Sequence, residues 1–246
     1  MNAIADLKVK IFADGADYDG MIKLSQNRVI KGFTTNPTLM RKAGVSDYET
    51  FARKVLAAIV DRPVSFEVFA DDFASMAEQA RTIAAWGRNV NVKIPVTNTK
   101  GQPATELIRA LSSEGVSLNV TAVFTLDQVR AVAEALDRNT PSIVSVFAGR
   151  IADTGMDPVP HMAACKQLLG RRPKAELLWA STRELLNIFH AEHSGCDIVT
   201  VPNEFLSKLD LVDKDLAQYS RETVQAFYRD ATAAAYQIKT TRVAAE

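Results

Sequence analysis

Lys93 interrupts a predominantly apolar run, Val90, Asn91, Val92, Lys93, Ile94, Pro95, Val96. On a buried strand its side chain points inward, where desolvation favours the neutral amine over the ammonium ion. A neutral amine attacks a carbonyl carbon and forms an imine, the central step of Schiff-base aldol chemistry. An isolated lysine in such a run is more often ion-paired, or snorkels from a strand end, so the reading depends on its company. Glu67, in the run 64–70, can accept and return protons during imine formation, helped by the hydroxyl of Thr121 in the run 117–124. Asp14 ends the run 9–14 and supplies a second carboxylate; two carboxyl groups in different surroundings can divide acid and base work. The plainer alternative for each carboxylate is a salt bridge to Lys93.

Such residues act together only if a scaffold gathers them, and the periodicity of the chain predicts one. Short β-branched runs at residues 9–14, 31–36, 64–70, 90–96, 117–124, 142–149, 176–181 and 197–202 alternate with amphipathic stretches at 48–60, 73–86, 104–113, 125–136, 160–169 and 183–192. Thr125 with Gln128 has the capping-box spacing, and Pro160 is a plausible helix opener. The pattern predicts an α/β fold, a single (β/α)8 barrel over residues 1–246. An open doubly wound sheet fits less well, because no strand is followed by the GxGxxG turn. A short helix is expected at 204–209 and a longer one from 214 to about 239. The latter belongs to a C-terminal extension, residues 213–246, packed on the barrel or on a neighbouring subunit. Its apolar stripe of Leu216, Tyr219, Val224, Phe227 and Tyr228 favours contact between subunits about as much as docking on its own barrel.

In such a barrel chemistry belongs at the carboxyl ends of the strands. Asp14, Asn36, Glu67, Lys93, Thr121 and Ser181 fall there on separate strands, with Phe147 and Arg150 closing the sixth. The period of two then places Ser65, Asn91, Asn119 and Ser145 on the same inner face, where a purely structural layer would favour Val, Ile or Leu. Burying so many polar groups is costly unless they bond one another or a ligand. Arg150 and Arg183 follow strands six and seven, where barrel enzymes commonly hold a phosphate, and the guanidinium fork suits that anion. Arg183 is expected to open a helix, a poor place for a cation unless an anion accompanies it.

Bulk composition narrows the partners. The 246 residues are 47% hydrophobic and 24% charged, with 29 basic and 29 acidic side chains, so no net field attracts nucleic acid or an anionic membrane. Small molecules and copies of the same chain are the expected partners. Cys165 and Cys196 form no CxxC pair or disulfide framework and read as reduced thiols of a cytoplasmic protein. No signal-peptide pattern and no membrane-length apolar run occurs. His190 and His193 flank Glu192 but read as a solvated helix end, and imine chemistry needs neither metal nor other cofactor, so none is expected. The stretch 97–103 lacks the P-loop pattern and reads as the connection leaving strand four.

The segment Gly32, Phe33, Thr34, Thr35, Asn36, Pro37, Thr38, Leu39 resembles the signature of the transaldolases and their relatives, the fructose-6-phosphate aldolases. Further likeness lies in residues 11–17, 92–97, 145–151 and 179–183, so it runs from 11 to about 202. The resemblance implies a barrel in which Lys93 forms the Schiff base and Asp14 takes the proton of the donor's C4 hydroxyl. Glu67 and Thr121 would work through a water on the imine. Asn36 and Asn119 would hold the dihydroxyacetone-derived intermediate, Ser181 would hydrogen-bond the substrate, and Arg150 and Arg183 would bind its phosphate; Ser145, placed on the inner face by the strand period, is expected to line the same site. Glu67 and Phe147 match transaldolases, whereas the aldolase subgroup resembles Gln and Tyr there. A tyrosine can help protonate and release the enamine, while Phe147 offers no proton and keeps the site dry. The expected activity is transfer of a dihydroxyacetone unit from fructose 6-phosphate to erythrose 4-phosphate. Aldolase release of dihydroxyacetone, action on a modified ketose such as a sulfonated one, and an inactive sugar-phosphate-binding barrel stand as alternatives. Gly15 departs from the Thr or Ser usual after the aspartate. Short members of the family resemble pentamers and decamers, so a homo-oligomer is expected.

Overall fold

The computed structural model describes residue 4 and residues 6–238. The β-branched runs become eight parallel strands, closed into a barrel in which each strand pairs with its sequence neighbours and β1 meets β8. In chain order the elements are β1 (Lys10–Asp14), α1 (Tyr18–Ser25), β2 (Ile30–Thr34), α2 (Pro37–Lys42), α3 (Tyr48–Ala58), β3 (Val64–Glu67), α4 (Phe73–Ala84) and β4 (Val90–Pro95). They continue with α5 (Thr105–Ser113), β5 (Leu118–Val123), α6 (Leu126–Ala135), β6 (Ser142–Val146), α7 (Ala148–Ala152), α8 (Pro158–Leu169), β7 (Ala175–Trp179), α9 (Asn187–His193), β8 (Ile198–Pro202), α10 (Asn203–Leu206) and α11 (Leu216–Ala233). The fold is thus the (β/α)8 barrel with a C-terminal helix that the periodicity implies.

Outward strand residues such as Ile11, Val64, Val92 and Val120 pack with the apolar faces of the helices in one continuous buried cluster. A second, smaller cluster of Phe12, Ile143, Leu178, Ala180 and Ile198 fills the barrel interior. Three of these lie two residues, or one inward step, from a polar residue nearer the strand end: Phe12 below Asp14, Ile143 below Ser145, Ile198 below Thr200. The ring of Phe12 lies so close over β2 that a Cβ on Gly32 would meet it at 2.5 Å. This apolar floor closes the barrel beneath the polar layer.

Several boundaries differ from expectation. β2 stops at Thr34, because the Asn36 side chain accepts the Leu39 N–H at 3.0 Å and Pro37 starts α2. β6 stops at Val146 and Phe147 precedes α7, so Arg150 sits on a short helix rather than at a strand end. α8 opens at Pro158, since Asp157 caps it through the Val159 N–H, leaving Pro160 inside the first turn. α9 starts at Asn187, so Arg183 precedes a helix and does not open one; its backbone N–H donates to Asn187 Oδ1 at 2.8 Å. The capping box of Thr125 and Gln128 forms with both bonds. α11 ends at Ala233, and residues 239–246 of the expected extension lie outside the described residues. Leu216, Val224, Phe227 and Tyr228 of that helix are exposed. No helix among the described residues is long and apolar enough to cross a membrane.

Candidate active site

Three neighbouring strands set the centre of the site by register. Glu67 on β3 pairs with Lys93 on β4, and Lys93 pairs with Asn119 on β5, so their side chains enter the barrel at one level. Lys93 is buried, with its Nζ 3.2 Å from Glu67 Oε2 and donating to the Thr35 carbonyl at 2.9 Å. A proton leaving this amine therefore has a carboxylate acceptor in contact. Thr121 lies two residues past Asn119, and its buried hydroxyl has no partner among the described residues. Its aim comes from a break in the β5–β6 register between Val120 and Val123, where Ala122 adopts φ 57°. A non-glycine residue in that conformation stores about 1–3 kcal/mol, which the barrel sustains next to the lysine.

Asp14 stands across the barrel on β1. Thr34 Oγ1 donates to its Oδ1 at 2.7 Å, and the Thr34 hydroxyl also meets that of Thr200. Burial pushes the Asp14 carboxyl above its ordinary range; Lys93 and the Thr34 bond oppose this, and Glu67 adds to it. A base held less acidic than usual is better matched to taking a hydroxyl proton near neutrality. With Gly15 following Asp14, the hydroxyl that holds the carboxylate comes from the adjacent strand. Across the inner face a chain of side-chain bonds links β6, β5 and β3: Ser145 donates to Asn119 Oδ1 at 2.6 Å and Asn119 donates to Ser65 Oγ at 3.1 Å. The amide orientation of Asn119 is thereby fixed.

These residues line one cavity of about 390 Å³ at the carboxyl ends of the strands, with Asp14, Asn36, Glu67, Lys93, Asn119, Thr121, Ser145, Phe147, Arg150 and Ser181 in its wall. The size suits a sugar phosphate. Phe147 forms part of its apolar side, and the Arg150 guanidinium lies 5.2 Å over the Phe147 ring. Ser181 takes a left-handed φ of 64°, and its carbonyl oxygen approaches α7 so closely that a Cβ on Gly149 would stand 1.5 Å from it. Glycine is required there for β7 to deliver Ser181 to the cavity. Two expected members stand elsewhere. Asn91 is absent from the wall, and Arg183 is turned to the rim, where Asp153 accepts from its Nε at 2.9 Å and from its terminal nitrogen at 2.6 Å. That pairing holds the Asp153 carboxyl below its ordinary range and raises Arg183. A larger groove of about 630 Å³ lies outside the barrel between α6 and α8, lined by Arg130, Arg138, Arg171 and Arg172, and contains no nucleophile.

The sequence reading missed Thr34, which holds Asp14, Thr200, which meets the Thr34 hydroxyl, and the Thr35 carbonyl, which takes the Lys93 amine. Thr34 carries a usable signal, since it falls two residues before Asn36 and on the same strand face as Gly32. Among the described residues no group of three or more His, Cys, Asp or Glu is arranged to hold a metal ion.

Residues 11–246 match the family described as Transaldolase/Fructose-6-phosphate aldolase. A protein of Methanococcus maripaludis strain C5 named "Probable transaldolase" is 34% identical over 215 residues, covering 86% of this chain and 95% of the relative. One of Listeria monocytogenes named "Probable transaldolase 2" is 33% identical over 218 residues, covering 87% and 95%. Among solved structures, the sialic acid aldolase of Ruminococcus gnavus superposes with a TM-score of 0.52 at 13% identity, covering 78% of this chain and 68% of its own, a likeness of fold alone.

Proposed function

The chain belongs to the transaldolase/fructose-6-phosphate aldolase family, and on that premise we propose that it is a transaldolase moving a dihydroxyacetone unit from fructose 6-phosphate to erythrose 4-phosphate. The observation that carries the reading is the convergence of Lys93, Glu67, Thr121 and Asp14 on one closed-bottomed cavity. The Lys93 amine adds to the ketose C2 carbonyl, and the carbinolamine loses water as Glu67, with the Thr121 hydroxyl, passes the protons. Asp14 then takes the C4 hydroxyl proton, the C3–C4 bond breaks, and glyceraldehyde 3-phosphate leaves. The electron pair of that bond remains as an enamine on Lys93. Asn36 and Asn119 hold its hydroxyls and Ser181 contributes a hydrogen bond, with Ser145 fixing Asn119.

Arg150 receives the phosphate at the mouth. Arg183 joins it by exchanging Asp153 for the substrate; the pair is about half exposed, where solvent screening leaves an ion pair weak. Phe147 presents no proton to the enamine, which favours waiting for an acceptor aldehyde over hydrolysis. Borohydride added with fructose 6-phosphate is expected to fix a three-carbon adduct on Lys93. Without an acceptor, free dihydroxyacetone should form far more slowly than the transfer product. An unlabelled lysine, or release as fast as transfer, contradicts the reading.

The protein acts in the cytoplasm as a homo-oligomer, a pentamer or decamer, in which α11 lays its exposed Leu216, Val224, Phe227 and Tyr228 face on a neighbouring copy. Light scattering should give a mass five or ten times that of the 26.9 kDa chain. Phe227→Glu with Tyr228→Glu should reduce that mass to the monomer's while sparing the barrel's melting transition. A monomeric parent at micromolar concentration would exclude the assembly.

A further inference from the structure

We infer that Tyr48, outside the cavity on α3, is a positioning residue that holds Glu67 and frees the Thr35 carbonyl for Lys93; the inference rests on the imine chemistry proposed above. In a parallel sheet, alternate residues of a strand bond to each neighbouring strand. On β3 the last rung toward β2 runs from the Thr35 N–H to the Ser65 carbonyl at 3.2 Å, and Val68 turns its N–H to β4, bonding Lys93 O at 3.1 Å. The N–H and carbonyl of Glu67 therefore face β2. The next rungs there would run from the Glu67 N–H to the Thr35 carbonyl, and to the Glu67 carbonyl from the N–H of residue 37. Residue 37 is proline and has no N–H, and the chain leaves the sheet there to enter α2.

One hydroxyl replaces both rungs. Tyr48 Oη accepts from the Glu67 N–H at 2.7 Å and donates to the Glu67 carbonyl at 3.0 Å. With its rung to β3 unused, the Thr35 carbonyl accepts Lys93 Nζ instead. The two ends of the proton-transfer pair, Glu67 and Lys93, are thus placed by the same substitution of a phenol for a ladder. The Tyr48 ring is itself fixed by Phe69 at 4.5 Å, Trp86 at 5.3 Å and Phe66 at 6.0 Å between centroids. Burial pushes the phenol's titration upward, so it keeps the proton it donates.

Tyr48→Phe keeps the ring and removes the hydroxyl. Loss of this restraint is expected to slow imine formation, read as borohydride-trapped adduct, about tenfold, with KM within about twofold. The Glu67 N–H is then left without its acceptor, and Glu67 is no longer held beside Lys93. Trp86→Phe disturbs the same ring stack without touching Glu67 and serves as the packing control. Equal losses in both variants, or wild-type trapping in Tyr48→Phe, would overturn the inference. Amide hydrogen exchange at Glu67 is measured alongside. A protected amide in the parent that opens in Tyr48→Phe supports the hold even if no imine is trapped from any form, the result that sinks the Schiff-base reading alone. Should Tyr48→Phe not fold, a Glu67 amide exchanging freely in the parent overturns the inference, and a protected one upholds it.

Discussion

Lys93→Met is expected to reduce transfer at least about 10⁴-fold, because no other group in the cavity can form the covalent intermediate. Methionine keeps the unbranched apolar stem that packs in β4 and deletes only the amine. Glu67 loses its ion-pair partner, but its carboxylate is partly exposed and water can solvate it, so the barrel should persist. Mass spectrometry after borohydride should find no adduct, while a steady-state assay reports the rate. Activity within about tenfold of the parent would remove Lys93 from the mechanism and leave the cavity without a nucleophile.

Asp14→Asn should lower transfer by about 10²–10⁴-fold and raise the melting temperature at neutral pH. Asparagine still accepts the Thr34 hydroxyl, so geometry is kept while the base is lost. The stability effect follows from the upward displacement of the Asp14 titration from its ordinary 3.8, caused chiefly by burial. Because the folded carboxyl holds its proton more tightly than the unfolded one, its contribution is fully present below the unfolded value. It is lost as pH rises through the folded titration. The variant has no such loss, so its thermal advantage should vanish in acid and grow toward neutrality. A parent and variant that melt together at every pH would show that ionising Asp14 costs the fold nothing. A gain in stability with a loss in rate would identify Asp14 as a residue retained for chemistry at the fold's expense.

What is legible in the sequence is set by period. Lys93, Asn119, Ser145 and Asp14 can be assigned to the inner face because strands alternate, and a closed barrel converts that alternation into convergence on one cavity. Asn36, Ser181 and Phe147 are recognisable as strand-end residues although the strands stop short of them. Their backbones have already turned into α2, the left-handed bend at Ser181, and α7. The short helices α1, α2 and α7 escape notice because little more than two turns at most gives too little periodicity to read. Partners chosen through space leave no local mark. The Asp153 that occupies Arg183 is thirty positions away, and the Tyr48 hydroxyl reaches Glu67 across nineteen. No spacing rule connects such pairs before the barrel closes.

The contact between Phe12 and Gly32 also has a history written into it. A side chain at position 32 has no room while the phenyl ring is present, whereas a smaller residue at position 12 opens that room first. Mutational paths through this floor therefore run in one order, with residue 12 shrinking before residue 32 can grow. A lineage that had filled position 32 could not regain the phenylalanine without first emptying it. Each of the two positions can enlarge only after the other has been reduced.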